Sequence, residues 1–249
     1  MDESLPRHRT IQFVNSESFL PTLFALPATV VGGLFAIWAI RKHLVRKRAD
    51  ALRTEALGLG LSFEGDEWTE RSRAPLLETA LFGKGHSPEF RNVMTGSCNG
   101  LKVSMFDYSF AEGSGRSTQY YRQTVGAFSK PSAYLPYFEM RPSGAFDTVW
   151  DGLAHNNIHF ESDPEFSRRY VLRGALNDKV QSLFTPALRA FLEGVEPHEK
   201  WRIEGTGDTL ILYRYAKRTS PAELRTFLDH TSSIAAGFFG LATAATIAQ

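Results

Sequence analysis

Between Phe19 and Ile40 the chain carries no charge, FLPTLFALPATVVGGLFAIWAI, and basic residues follow at once. A helix needs about 20 apolar residues to cross a hydrocarbon core. The run therefore predicts a transmembrane helix over residues 19–40, behind an N-terminal tail of residues 1–18. Pro21 and Pro27 fall in its first half, where membrane helices tolerate proline, and Trp38 suits the interfacial level. Leu44, Val45, Leu52, Ala56 and Leu57 continue near helical spacing until Gly58 and Gly60 end it. With the polar connector Glu64–Arg73, this makes residues 41–73 a basic juxtamembrane helix and linker.

Residues 74–249 read as an α+β soluble domain. Leu76–Phe82 is a short apolar stretch, and Gly83–Glu89 reads as a turn-rich loop. In Leu101–Phe110 the apolar positions are first Leu101, Val103 and Met105, then Phe106, Tyr108 and Phe110. That change of parity predicts either a bulge or a strand covered on both faces. Gln119–Phe128 follows as its hairpin partner, and Tyr137–Arg141 alternates as a third strand. Ser143 caps a helix to about Leu153. Ile158–Phe160 and Arg169–Arg173 read as short strands. Asn177–Glu193 is helical, split by Thr185 as cap and Pro186 as first residue. Trp201–Glu204 and Thr209–Tyr215 form a hairpin, and Ser220, Pro221 and Glu223 open the last helix with a capping box. The expected fold is an antiparallel sheet of about six to seven strands with helices packed mainly on one face.

Charge changes the picture at the ends of the apolar run. Arg41, Lys42, Arg46, Lys47 and Arg48 outnumber Arg7 and Arg9 on the other flank. The excess of basic residues predicts a cytoplasmic C-terminal domain on a single-pass protein. The five basic residues are candidates for lipid-headgroup contact. Because they follow the apolar run, and no A-x-A site ends that run ahead of a polar mature start, the segment reads as a retained anchor rather than a cleaved signal peptide. After His230 no charge appears, and residues 231–249 read as a helix packing on the domain, with a second span as the alternative. Formal net charge is +1, which gives no reason to expect nucleic acid as a partner. Cys98 is the one cysteine, so no intramolecular disulfide forms.

Candidate chemistry is sparse. No G-x-x-x-x-G-K-[ST], G-x-S-x-G, H-E-x-x-H or C-x-x-C occurs. His155 and His159 with Glu161 and Asp163 form a metal-like grouping, but on a strand residues four apart lie about 13 Å apart, too far for one ion. No metal, cofactor or catalytic residue is assigned. Asp163–Tyr170, DPEFSRRY, has the densest mix of charge and aromatic side chains. Its structural reading is a turn with Phe166 as a core plug. Its functional reading is a binding surface made by Asp163, Glu165, Arg168, Arg169 and Arg173.

Asp163–Phe166, Arg169–Arg173 and Leu183–Leu188 (LFTPAL), behind an N-terminal span, resemble bacterial membrane-anchored families of unknown function. The resemblance covers roughly Gly83–Phe227. It implies a bacterial inner-membrane location and carries no reaction, cofactor or catalytic residue. Three functions stay open: a non-enzymatic membrane protein whose domain binds a protein partner; a lipid or small-ligand-binding domain at the membrane face; and an enzyme using Asp163, Glu165, His86 or His159.

Overall fold

A computed structural model describes residues 20–144, 157–194 and 200–241, with only the backbone described at 20–30, 32 and 71. The chain divides between Lys47 and Arg48 into two units. The boundary falls inside one helix, α1, Leu20–Gly58. In the first unit the apolar side chains of Val31, Leu34, Phe35, Ile37, Trp38, Ile40, Leu44 and Val45 are all exposed. Phe35 and Trp38 lie 5.6 Å apart, and the Lys42 ammonium sits 4.8 Å over the Trp38 ring. The expected span over residues 19–40 is helical from Leu20 onward. Among the described residues, however, no helix is long and apolar enough to cross a membrane. Side chains are described only from Val31, and the charges beginning at Arg41 cut that apolar stretch short.

The second unit is built on eight strands: β1 (Ser62–Gly65), β2 (His86–Cys98), β3 (Leu101–Glu112), β4 (Gln119–Ser129), β5 (Leu135–Pro142), β6 (Tyr170–Gly174), β7 (Trp201–Gly207) and β8 (Thr209–Arg214). Their order is β1-β2-β3-β4-β8-β7-β5-β6, and every neighbouring pair is antiparallel. The α+β architecture is as expected. The sheet is wider than the six to seven strands expected, because β1 and the start of β2 lie where the sequence read linker and loop, and the rest of β2 falls in no predicted element. Cys98 pairs with Leu101 across Asn99-Gly100. Both turn residues take positive φ, 52° and 76°, the geometry that Asn-Gly supplies to a two-residue hairpin.

The parity change in β3 is resolved in favour of two covered faces. Its pairing with β4 is unbroken from Lys102 to Glu112, while the register shifts lie in β2, between His86 and Glu89 and between Arg91 and Met94. Leu101, Val103 and Met105 join a core on one face; Phe106, Tyr108 and Phe110 join a separate core on the other. The first core is roofed by the end of α1 (Leu52, Ala56) and by four further helices: α3 (Pro164–Arg169), α4 (Asn177–Leu183), α5 (Pro186–Gly194) and α6 (Leu224–Phe238). A four-residue helix, α2 (Glu70–Arg73), precedes two 3-10 turns that cover the second core with Leu76 and Leu81, beside Trp68.

Two local expectations change. DPEFSRRY is not a turn: Asp163 caps α3 by accepting from the Phe166 N–H, with Pro164 at the first position. Ile158–Phe160 is not a strand; only Asn157 bridges to Arg173. The split expected at Thr185 and Pro186 is present: Asn177–Leu183 and Pro186–Gly194 are separate helices, and the Thr185 hydroxyl accepts from the Leu188 N–H. The helix expected after Ser143, and His155, lie outside the described residues. The last helix runs on through Ile234 to Phe238 as part of the first core.

Candidate ligand cavity

On the helix-covered face, beside strands β5 and β7, lies a cavity of about 460 Å³. Its apolar walls are Met140 and Pro142 of β5, Trp201 and Ile203 of β7, Leu192 of α5 and Ile234 of α6. Met140 and Ile203 are cross-strand partners, and both point to this face because alternate residues of a strand do. Tyr170 completes the wall, and its hydroxyl donates to the Leu192 carbonyl at 3.1 Å. Burial raises that hydroxyl's pKa. Ser143, Arg168, Arg169 and Lys200 add polar and charged groups to the lining.

Trp201 needs separate description. It is 6 % exposed and packs on Phe227 at 5.5 Å between ring centres. The Arg214 guanidinium lies 5.0 Å from its ring centre. Its indole N–H is buried without an acceptor among the described residues. Buried indole N–H groups usually find a partner.

The five candidates of the DPEFSRRY region divide. Arg168 and Arg169 reach the cavity, and both also pair with Glu165, Arg169 at 2.9 Å. Asp163 receives the nearly buried Arg189 at 2.7 Å, and that hydrogen bond holds its carboxyl below the usual carboxylate range. Arg189 also donates to the Phe184 carbonyl, so Asp163 and Arg189 lock α3 to α5. Arg173 donates to Asn157 at 2.8 Å and faces a small polar recess with Glu139 and Glu204 on the opposite side of the sheet. In that recess Glu204 is 3 % exposed. It accepts from the Tyr213 hydroxyl at 2.6 Å and the Leu81 N–H at 2.9 Å. Burial nevertheless pushes its pKa up, and raises that of Tyr213 too.

Of the basic run, Arg41, Lys42, Arg46 and Lys47 are exposed in the first unit. Arg48 belongs to the second and is bound to Asp107. His86 touches Ser87 and the Gly113 carbonyl in an exposed hairpin. No three metal-ligating side chains converge among the described residues. Sequence reasoning missed Trp201, Lys200 and Ile234. Trp201 and Ile234 are ordinary apolar positions of a strand and a helix, and only the topology brings them together.

No protein-family model and no curated protein matches the chain. Among solved structures it is similar to the crystal structure of the mycobacterial trehalose monomycolate transport factor A. The TM-score is 0.53 over 82 % of this chain and 99 % of that one, at 11 % sequence identity. At that identity the two share a fold, and the likeness reaches no further than that.

Proposed function

We propose that this chain is a membrane-associated, non-enzymatic binding protein whose α+β domain takes an apolar ligand into the cavity beside β5–β7. The cavity carries the reading: an apolar chamber of about 460 Å³, within the range of small-molecule sites, with cationic side chains in its lining. The uncharged run 19–40 supplies the membrane attachment. The exposed apolar side chains of α1 from Val31 to Val45 need cover, and a bilayer provides it. Arg41, Lys42, Arg46 and Lys47 then lie at headgroup level, and their excess over the other flank puts the domain on the cytoplasmic side of a bacterial inner membrane. The fold neighbour's name, a transport factor for trehalose monomycolate, supports a lipid-linked role over the alternative of a protein-docking domain.

The test is direct. Full-length protein is purified in mild detergent, extracted with organic solvent and analysed by mass spectrometry. An amphiphile is expected in near-stoichiometric amount, and it should be lost from Ser143→Trp, which plugs the cavity from a half-exposed position. A folded wild type that carries no amphiphile but holds a recurrent protein partner would replace this reading with the docking one. Orientation is checked separately by reporter fusions after Arg73, where alkaline phosphatase activity would contradict the cytoplasmic assignment.

A further inference from the structure

Resting on the cavity reading, we propose that the ligand is a single-chain amphiphile with an anionic headgroup, such as a fatty acid carboxylate, its chain against Trp201 and Ile234 and its charge at Arg168, Arg169 and Lys200. The volume limits the chain. The 460 Å³ available sits in the lower half of the roughly 300–1,000 Å³ that small-molecule sites span, the scale of one acyl chain.

Charge selects the headgroup. Arg168, Arg169 and Lys200 all line the cavity. Glu165 pairs with both arginines, and Glu193 acts on the nearby Tyr170 hydroxyl. Among the described residues, three cations stand against two carboxylates, a positive balance. Arg168 is 76 % exposed at its side chain and Lys200 is exposed, so both can turn toward a headgroup at little cost. The Ser143 hydroxyl adds a neutral donor. A carboxylate makes charge-assisted bonds with these cations; an alcohol oxygen accepts from them more weakly, and a quaternary ammonium is repelled.

Laurate, dodecanol and dodecyltrimethylammonium share one chain and differ in head charge. Each is titrated against delipidated full-length protein, below its micelle concentration, and binding is read by equilibrium dialysis. Laurate should bind at least about tenfold more tightly than dodecanol, as a charge-assisted bond predicts. The double variant Arg168→Gln/Lys200→Gln should erase that difference, bringing laurate down to the affinity of dodecanol for the same variant. Ser143→Trp should weaken both. Equal binding of laurate and dodecanol, or a preference for the ammonium, overturns the anionic assignment and leaves the cavity reading standing. Laurate binding that survives Ser143→Trp places the ligand elsewhere and overturns the inference. Binding of none of the three by a protein that still melts cooperatively overturns both readings.

Discussion

Arg48 holds Asp107 with two hydrogen bonds of 2.8 Å, one through Nε and one through Nη2. Asp107 also accepts from Asn92 at 2.9 Å and from Thr124 at 3.0 Å. Arg48 reaches on to the Thr219 carbonyl, and the Thr219 N–H donates to Thr124. The network fastens the C-terminal end of α1 to the middle of β3. Arg48, which sequence groups with the basic run 41–48, thus serves the domain.

Asp107→Ala leaves Arg48, Asn92 and Thr124 without their acceptor. The side chains are 18 % and 8 % exposed, so breaking the pair by removing one partner should cost about 3–5 kcal/mol. Thermal or denaturant melts measure this. Replacing Lys47, exposed in the first unit, should change the domain's stability by less than about 0.5 kcal/mol. Equal effects from both would defeat the clamp.

Phe166 is 1 % exposed and lies 5.8 Å from Phe160 and 4.9 Å from Tyr170 between ring centres. Phe166→Ala should cost about 3–5 kcal/mol. Arg168→Ala, two residues on but exposed, should stay within about 0.5 kcal/mol while weakening anionic ligand binding. Melts and dialysis on the same two variants separate the roles.

Glu204 sets a pH dependence whose sign follows from its burial. Its folded pKa is raised above the ordinary 4.5, so the folded state holds the proton more tightly. The resulting stability is complete below the unfolded value and is lost as pH rises through the folded one. Glu204→Gln should therefore flatten the fall in Tm between acidic and neutral pH. The slope is the readout, because one of the two donors, Tyr213 or Leu81, loses its acceptor in the amide at every pH. An unchanged slope would count against a buried carboxyl that titrates.

Gly205 stands where β7 faces Phe138 of β5. A Cβ there would lie 2.3 Å from the Phe138 ring. Gly205→Ala should cost about 1–3 kcal/mol by overpacking. Gly100→Ala, with open space around it but φ of 76°, tests strain alone and should cost about 1–2 kcal/mol. Chemical denaturation compares them.

Strong periodicity made β3, β4, β8 and the last helix legible, because their apolar positions repeat over many residues. β2 was hidden by its own irregularity. It shifts register twice and carries positive φ at Ser87 and Asn92, so alternation fails just where the strand is longest. The signal that would have recovered it is Asn99-Gly100, a two-residue hairpin turn that the sequence reading passed over beside Cys98. Asp163-Pro164 was likewise a helix start, read as a turn because only six residues follow before β6. In the cavity, Arg168 and Arg169 were singled out for their charge. Lys200 and Trp201 sit far along the chain, and no local pattern links them to the arginines. Nothing near Arg189 in sequence announces that it will meet Asp163, 26 positions away.

With apolar packing above and below, the central part of β3 is shut off from solvent on every side. Its lateral neighbours β2 and β4 occupy both hydrogen-bonding edges. Water reaches the amides of Phe106 and Tyr108 only when both cores come apart together, so their deuterium uptake should report the free energy of whole-domain unfolding. Amides of β1 and β6, the outermost strands, should exchange far sooner through local fraying. The slowest-exchanging stretch of the molecule is thus the one whose hydrophobic pattern changes parity midway.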